Sequence, residues 1–550
     1  QPNALLPPFL SAPSAPAPCR FMNTHHILIT GALHPLAQEL LQAANDVRVS
    51  YRPDLPYEEV LALMGDVHAL ITRSETKVTA EMIDRAPQLK VIARAAVGIG
   101  NIDVEHATER GILVINTPGK NTNSAAELTM GLLLATMRKV VPAHLRMQAN
   151  GWERHRFTGR ELAGKTLGII GLGNVGARVA RFARAFDMRL LGLDPYVADE
   201  HFESLHLRKV DLPTLLAESD VVTVHTPLSA ETRNLIGAEH FALMKPGVVV
   251  LNVARGGLID EAALLEHLHS GHVAAAGIDT WNEEPSRDNP FRGMEQVVMT
   301  PHIGASTVEA QERVAASIAE QTLLALRDEV VDFPVNMPRL RVLTDPRTKY
   351  YTVLAEKLGS FAQQSLDFNP SHIEVWYRGQ LTSDEGLMLR RAFLKGFLKN
   401  TANESITFVN AEKKATERQI QISDAEDPAF SEYASAVSFI ITNAEHQFSV
   451  GGVVLGENNY RLSHVNDFAF EVIPDGNLLY IINNDRPGVI GEVGMTLARH
   501  SVNISQFELS RNMPGGQAMS LIRTDSPVDN AVLAELRSIR NMVAVRRIVV

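Results

Sequence analysis

The sequence predicts an α/β protein in which two doubly wound parallel-sheet domains precede an α+β domain and a small βαββαβ domain. Three observations lead to this prediction. Short aliphatic runs alternate with helical stretches from His26 to about Asn336, as in parallel sheets with helical crossovers. Past residue 336 the hydrophobic pattern becomes that of half-exposed antiparallel strands. From Asn477 onward the pattern is strand, helix, strand, strand, helix, strand.

The length of 550 residues suggests three or four domains, at about 150 residues each. A net charge of −11 excludes a nucleic-acid partner and an acidic membrane surface, so local arginines must hold any anionic substrate. The single cysteine, Cys19, excludes an internal disulfide, and no metal site is expected. No apolar run reaches the ~18 residues that cross a bilayer.

Residues 1–22 are rich in proline, alanine and serine, and we interpret them as a disordered extension outside the fold. A cytoplasmic protein is expected, or one of an organelle stroma or matrix if this extension is a transit peptide.

The first sheet is predicted from aliphatic runs at 27–29, 70–71, 91–93 and 112–115. Six further runs predict the second sheet, at 166–170, 189–193, 221–224, 248–252, 274–278 and 297–300.

A glycine motif follows the strand at 166–170 and opens an amphipathic helix. Gly171 allows a tight turn, Gly173 lets a pyrophosphate approach, and Gly176 permits close helix packing. Asn174 and Val175 lie at the helix N-terminus, which attracts phosphate. Asp194 ends the next strand, where its carboxylate can accept hydrogen bonds from ribose hydroxyls and would repel a 2′-phosphate. These features predict a dinucleotide site that prefers NAD to NADP.

Three later segments, at 252–257, 279–285 and 300–304, lie at ends of predicted strands, where open α/β sheets bind ligands. They supply Arg255, Glu284 and His302. Removing a hydride from a 2-hydroxy acid requires a base for the hydroxyl proton and a cation for the carboxylate. Taken singly, His302 is one of 19 histidines and Arg255 could cap a helix.

Taken together, the Arg-Gly-Gly, Glu-Pro and Pro-His segments resemble the D-isomer-specific 2-hydroxyacid dehydrogenases, over about His26 to Asn336. The resemblance implies two Rossmann-like domains, with His302 as general base, Glu284 orienting it and Arg255 gripping substrate. Five further residues at strand ends are expected to line the cofactor site: Thr226, Pro227, Ala254, Asp279 and Gly304.

Segments around residues 73–79, 116–128 and 151–154 resemble the branch of that family that oxidises a phosphorylated hydroxy acid. This resemblance implies that Arg73, Arg94 and Asn121 contact substrate and that Arg154 can reach a neighbouring subunit's site. The alternative for Arg73 and Arg154 is a solvated surface charge. One departure is Gly100, which stands where the family commonly has an aspartate.

The C-terminal motif at 483–491, followed by residues 502–505, resembles an ACT domain, a module that pairs with another copy and binds amino acids. The resemblance implies that Gly488 and Asn503 face such a ligand, with serine as the expected effector. A purely structural dimerisation module is the alternative. Residues 409–412, Val-Asn-Ala-Glu, resemble the intervening domain of long family members, and no site is assigned there.

The expected domains are a substrate-binding domain (23–118 and 307–335), an NAD-binding domain (119–306), an intervening domain (336–473) and an ACT domain (477–550). The favoured function is NAD-dependent oxidation of 3-phospho-D-glycerate to 3-phosphohydroxypyruvate, the first step toward L-serine, in a homodimer or homotetramer. Two alternatives stay open. One is a hydroxypyruvate or glyoxylate reductase, and the other is an NAD-sensing corepressor-like scaffold.

Overall fold

The computed structural model describes residues 24–550 except 328, 330, 338–345, 400–404 and 457. The extension predicted for residues 1–22 lies outside these described residues. Four sheets organise the described chain, two of them wholly parallel, and the fold class predicted from the sequence is confirmed. In the described residues, no helix combines the length and the apolar character needed to cross a membrane.

The first sheet has five parallel strands in the order β2-β1-β3-β4-β5. These are β1 (His25–Ile29), β2 (Val47–Tyr51), β3 (Ala69–Thr72), β4 (Val91–Arg94) and β5 (Leu113–Ile115). The sequence analysis missed β2. This strand lies at the sheet edge and is only half-buried, so polar Arg48 and Ser50 interrupt the aliphatic run that marks a central strand.

Five helices pack around the first sheet: α1 (Pro35–Gln42), α2 (Tyr57–Leu63), α3 (Ala80–Asp84), α4 (Val104–Glu109) and, returning much later in the chain, α12 (Val308–Leu326). Val314, Ala315 and Ile318 of α12 belong to the same buried cluster as Ile27 and Ile29. The chain therefore leaves the first sheet after β5 and returns to it after completing the second.

The second sheet has seven parallel strands in the order β12-β11-β10-β9-β6-β7-β8. They are β6 (Thr166–Ile170), β7 (Arg189–Leu193), β8 (Arg208–Lys209), β9 (Val221–Val224), β10 (Val248–Asn252), β11 (Val273–Ile278) and β12 (Val297–Met299). The prediction of six strands is wrong because it missed β8. This strand is a two-residue, exposed edge strand without apolar residues that could have indicated it. The strand order reverses beside β6, which is where doubly wound sheets bind ligands.

Helices cover both faces of the second sheet: α5 (Thr122–Met137), α7 (Asn174–Ala185), α8 (Asp199–Leu205), α9 (Leu212–Glu218), α10 (Ala238–Leu243) and α11 (Glu261–Ser270). Between α5 and β6 lie α6 (Val140–Gln148) and a 3₁₀ turn (Arg154–Phe157). Ala126, Leu133 and Met137 of α5 belong to the core beneath this sheet.

The third sheet has six strands in the order β14-β13-β15-β16-β17-β18. They are β13 (His372–Gly379), β14 (Gln421–Asp427), β15 (Ser435–Thr442), β16 (Gln447–Leu455), β17 (Asn459–Val465) and β18 (Phe468–Val472), with helices α13 (Pro346–Ser365), α14 (Ser383–Leu398) and α15 (Ala411–Glu417). The expectation of antiparallel pairing is wrong for one pair, because β13 and β14 run parallel and are connected through α14 and α15.

The fourth sheet is antiparallel, with the order β20-β21-β19-β22. It is built from β19 (Asn477–Asn484), β20 (Ile504–Arg511), β21 (Gln517–Thr524) and β22 (Met542–Val549), with α16 (Val489–Arg499) and α17 (Asn530–Ser538) on one face. The opposite face packs against α13, where Tyr480 meets Phe361 with ring centroids 6.2 Å apart. This face and the third sheet share one hydrophobic cluster.

Candidate active site

The turn between β6 and α7 is built from three glycines that each meet a different steric demand. Gly171 has a φ of 91°, and a methyl group there would lie 2.8 Å from the His225 carbonyl carbon. A methyl group at Gly176 would lie 2.0 Å from the Gly171 oxygen. At Gly173, by contrast, no atom of the described chain would lie within 4 Å of it. The outer side of the turn is therefore open to a ligand, at the N-terminus of α7.

Asp194, at the end of β7, closes the other side of this turn. Its carboxylate oxygens accept hydrogen bonds from the backbone N–H of Leu172, at 2.8 Å, and of Tyr196, at 3.0 Å. Each oxygen retains a lone pair, so the half-buried carboxylate can still accept from ribose hydroxyls. Thr226 follows β9 against Gly171, and its buried hydroxyl has no hydrogen-bond partner among the described residues. Neighbouring Pro227 is exposed.

A cavity of about 680 Å³ opens beside the glycine turn, between α5, α7, α8 and α12. Gly173 and Asn174 line it, together with four cationic side chains from Lys120, Arg178, Arg181 and Arg313. Val175 begins the buried face of α7 next to Gly176. Within the described chain no carboxylate lines this cavity, so its charge suits a phosphate-bearing ligand. The site thus fits a dinucleotide, because it combines an open glycine turn, a helix N-terminus, the Thr226 hydroxyl and the Asp194 carboxylate.

The two sheets approach each other at the loop that follows β4, residues 97–103, which we call the Gly98 loop. A methyl group on Gly98 would lie 3.3 Å from the nearest terminal nitrogen of Arg255, which follows β10 in the second domain. Arg255 donates to the Ala254 carbonyl at 2.6 Å, and Asn252 holds the local turn through the Ala254 N–H and the Arg255 carbonyl. A side chain at this position would form a tight contact that the end of Arg255 would have to shift to relieve.

Positive charge is concentrated beneath the Gly98 loop. Arg94 is buried and donates through Nε to the Gly98 carbonyl at 3.0 Å, while its Nη1 has no partner in the described part of the chain. Burial lowers the pKa of Arg94 to about 10; Glu75 acts to raise it, and the nearby charges of Arg73 and Arg255 lower it further. Arg94 stays protonated at neutral pH, so its buried N–H without a partner in the described chain is suited to bind an anion.

Arg73 is anchored from several directions. Its guanidinium donates to the Ala32 carbonyl at 2.7 Å and to Gln311 of α12 at 3.4 Å, and Gln311 also donates to the Ala305 carbonyl. Asn101 donates to the Arg73 carbonyl at 2.9 Å and to the Thr76 carbonyl at 2.6 Å. The half-buried Arg73 guanidinium is thus held by hydrogen bonds to two other segments of the chain.

His302 and Glu284 form a hydrogen-bonded pair at the carboxyl ends of β11 and β12. His302 Nδ1 and Glu284 Oε2 are 2.6 Å apart, and Glu284 Oε1 accepts from the Trp281 N–H at 3.0 Å. Burial acts to raise the pKa of Glu284. The hydrogen bonds from His302 and Trp281, with the positive charges of His302 and Arg255, outweigh that effect and hold the pKa below its usual range. An ionised carboxylate only accepts, so His302 Nδ1 carries a proton, and whenever the ring is neutral its lone pair lies on Nε2.

Asp279 holds the His302 loop from below. This fully buried carboxylate accepts from the Thr300 hydroxyl at 2.5 Å, the Ile303 N–H at 2.8 Å and the Gly304 N–H at 2.9 Å. Its backbone carbonyl accepts from the His302 N–H at 2.9 Å, and His302 itself has a φ of 53°. Asp279 is expected to contact cofactor, yet its carboxylate already binds three donors of this loop.

The remaining predicted substrate residues lie farther out. Asn121 is half-buried at the start of α5, without a side-chain hydrogen bond to that helix's N–H groups. Arg154 is exposed on the 3₁₀ turn that follows α6. None of the nine residues of α6 is buried, and Val140, Leu145 and Met147 are more than half exposed, as is Trp152 just beyond it.

In the fourth domain, Gly488 caps α16 with a φ of 98°, and a methyl group there would meet no described atom within 4 Å. Asn503 is exposed, and its amide nitrogen donates to Asp525 at 2.6 Å. The amide expected to face a ligand therefore already binds a carboxylate within the same domain, which leaves its oxygen and its second N–H for a ligand.

The structure brings Arg73, Arg94, Arg255, Glu284 and His302 to the carboxyl ends of the two parallel sheets, around one cleft. Sequence reasoning gave no role to Gly98, Asn101 or Gln311. The motif Val97-Gly98-Ile99-Gly100-Asn101 was a signal for the first two. A methyl group at Gly100 would meet no described atom within 4 Å, so this departure from the family pattern leaves open space.

We predict that Asp279→Asn loosens the His302 loop. The asparagine amide NH₂ would face a backbone N–H that now donates to the carboxylate. One buried N–H would then lack an acceptor, at a cost of about 1–3 kcal/mol. Hydrogen exchange at residues 300–304 should become faster, and the melting temperature should fall. Asp288→Asn, at an exposed loop position, is the control. Equal exchange in both variants would contradict the role given to Asp279.

Comparisons with known proteins cover almost the whole chain. Residues 130–304 match the NAD-binding domain of D-isomer-specific 2-hydroxyacid dehydrogenases, residues 347–466 the D-3-phosphoglycerate dehydrogenase intervening domain, and residues 478–541 the ACT domain. The chain therefore carries an NAD-type cofactor domain. Among solved structures, a protein from Thermus thermophilus is 36% identical with a TM-score of 0.53, covering 56% of this chain and 99% of its own.

Another solved neighbour, D-lactate dehydrogenase from Aquifex aeolicus in complex with NAD and lactic acid, is 26% identical with a TM-score of 0.51. It covers 57% of this chain and 99% of its own. Over nearly full length, the D-3-phosphoglycerate dehydrogenase of Methanocaldococcus jannaschii is 40% identical, covering 94% of this chain and 98% of the relative. That of Bacillus subtilis is 36% identical, covering 87% and 91%. The chain belongs to the D-3-phosphoglycerate dehydrogenase family.

Proposed function

We propose that this protein oxidises 3-phospho-D-glycerate to 3-phosphohydroxypyruvate with NAD, the first step toward L-serine. The observation that carries the proposal is the convergence of Arg73, Arg94 and Arg255 beside the His302–Glu284 pair, with one buried Arg94 nitrogen left unpaired among the described residues. A substrate with both a carboxylate and a phosphate matches several guanidinium groups, each of which can bind an oxyanion bidentately.

In the proposed reaction, Nε2 of His302 takes the proton of the substrate hydroxyl. Glu284 fixes the tautomer and stabilises the imidazolium that forms, and Arg255 holds the carboxylate beside the carbon that becomes a carbonyl. NAD, when bound, accepts the hydride from that carbon. Arg73, Arg94 and Asn121 hold the anionic ends of the substrate, and Arg154 reaches a neighbouring subunit's site.

Residues that would hold the cofactor come from both sides of the glycine turn. Gly171, Gly173, Asn174, Val175 and Gly176 would cradle the pyrophosphate. The adenosine ribose would hydrogen-bond to Asp194. The other members of the proposed set, near strand ends, are Thr226, Pro227, Ala254, Asp279 and Gly304. Asp279 contributes there by holding the loop that carries Gly304.

Assembly and regulation extend the proposal. The exposed apolar side chains of α6 and Trp152 form a surface that suits a second copy of the chain, next to Arg154, in a homodimer or homotetramer.

Gly488 and Asn503 would bind an amino acid between paired ACT modules, with serine as the end-product effector. Isothermal titration calorimetry with millimolar serine tests this proposed regulation. If serine produces neither heat nor inhibition, the ACT module has a purely structural role.

The function is tested by following NADH formation at alkaline pH. We expect 3-phosphoglycerate to be oxidised at least roughly a hundredfold more efficiently than glycerate, lactate and other unphosphorylated hydroxy acids, because a substrate without the phosphate leaves part of this arginine cluster, which includes the buried Arg94, without an anionic partner. Comparable rates across this panel would favour a hydroxypyruvate or glyoxylate reductase. Absence of turnover with all of them would favour an NAD-sensing scaffold.

We predict that His302→Ala lowers turnover at saturating substrate by roughly a hundredfold or more, since the general base is lost. Glu284→Gln should move the acidic limb of the pH–rate profile to lower pH, because the charged imidazole loses its carboxylate partner and the base stays deprotonated in more acidic solution. His269→Ala, on the exposed side of α11, is the control. Near-normal turnover of the His302 variant would assign the base to another group.

We predict that Asp194→Ala raises the KM for NAD by roughly ten- to a hundredfold, because charge-assisted hydrogen bonds are lost. The variant should also discriminate less against NADP. The ribose hydroxyls lose their acceptor, and the repulsion of a 2′-phosphate disappears. Asp199→Ala serves as the matched control, since Asp199 pairs with Lys209 on the surface of α8. An unchanged NAD-to-NADP preference would remove Asp194 from the ribose site.

A further inference from the structure

The Val-Asn-Ala-Glu motif of the intervening domain lies in a segment that contacts the substrate-binding domain directly. We call residues 405–413 the docking segment. Its Thr407 hydroxyl donates to the Gly111 carbonyl at 2.9 Å, its Asn410 amide donates to the Glu109 carbonyl at 3.3 Å, and Lys413 pairs with the Glu109 carboxylate at 2.6 Å. All three contacts meet the C-terminal end of α4.

The contact between the docking segment and Gly111 is close, and it requires a glycine backbone conformation. Gly111 has a φ of 72°, and a methyl group there would lie 2.8 Å from both the Asn410 amide nitrogen and the Thr407 hydroxyl. Asn410 is 1% exposed, and its amide also donates to the Ser405 carbonyl while its oxygen accepts from the Thr407 N–H. The buried amide contributes more to this contact than the exposed Lys413–Glu109 ion pair.

The docking segment is fixed equally firmly to its own domain. Arg391 of α14 donates to the carbonyls of Phe408 and Val409, at 2.9 and 3.3 Å, and to the Glu412 carboxylate at 2.6 Å. Arg390 donates to the same carboxylate at 2.8 Å. In the Val-Asn-Ala-Glu motif, Asn410 therefore faces the substrate-binding domain and Glu412 faces the intervening domain.

At its other end, α4 joins the Gly98 loop without an intervening connection. Asp103 caps α4 by accepting from the His106 N–H at 3.0 Å, and its own N–H donates to the Val78 carbonyl. Six residues of helix span only about 9 Å. The docking segment and the loop that contacts Arg94 and Arg255 thus hold opposite ends of one short rigid element.

We propose that Thr407 and Asn410 are positioning residues of the substrate site: by fixing the end of α4, the intervening domain sets the place of the Gly98 loop against Arg255. The inference rests on the proposed function for its kinetic readout. Its structural readout, the opening of the Gly98 loop, does not depend on which substrate the protein uses.

The test is hydrogen exchange of the full chain together with steady-state kinetics for Thr407→Val. The substitution keeps the shape of the side chain and removes the donor to Gly111. We expect at least roughly fivefold faster exchange across residues 97–109 and a roughly fivefold higher KM for 3-phosphoglycerate, with kcat changed less than about twofold. The KM for NAD should not change, because the cofactor residues belong to the other domain.

Thr416→Val is the matched control, since the Thr416 hydroxyl donates to the Glu412 carbonyl within α15. Asn410→Ala is a second variant that should give the same pattern with larger changes. Exchange at residues 97–109 equal to that of the control, or faster exchange with an unmoved KM, would overturn the proposal. If the unmodified protein does not oxidise 3-phosphoglycerate, the proposed function fails, and the exchange comparison alone decides the role of Thr407.

Discussion

Mutual repulsion among the arginines around the Gly98 loop is the constraint on which the cleft depends. The charges of Arg73 and Arg255, one from each domain, both act on the buried Arg94, and Glu75 is the carboxylate that most affects Arg94. Like charges near one another in a partly buried site cost free energy, and a dianionic ligand would offset this repulsion. Polar contacts hold Arg73 in place against that repulsion: Gln311 accepts from its guanidinium, and Asn101 donates to its backbone carbonyl.

Carboxylates at the ends of the parallel strands serve different purposes in this cleft. The Asp279 carboxylate accepts three hydrogen bonds from one loop, the Asp194 carboxylate accepts two from backbone N–H groups, and the Glu284 carboxylate is shared between a backbone N–H and an imidazole. The degree of internal saturation separates them. A fully buried carboxylate that accepts three bonds from one loop is part of the scaffold, and a more exposed one with two lone-pair sites left can act on what enters the cleft.

The parts of this fold that were predictable have local signals. Buried parallel strands give continuous aliphatic runs, and the glycine turn and the short catalytic segments give motifs. The strands β2 and β8 were missed because edge strands carry polar residues. The bonding of Asp279 and the fit of Gly111 under Asn410 were beyond prediction, because each joins residues far apart in sequence and local pattern carries no trace of the partner.

The shared cluster beneath α13 has a consequence for how the C-terminal half moves and unfolds. Tyr480, Leu521 and Ile548 of the last sheet and Phe361, Phe393 and Phe439 of the preceding domain form one continuous apolar interior. Two modules that are separate as sequence families are therefore a single cooperative unit in thermodynamic terms. Separating them would expose an interior face to water, so we expect the ACT module and its neighbour to move as one body.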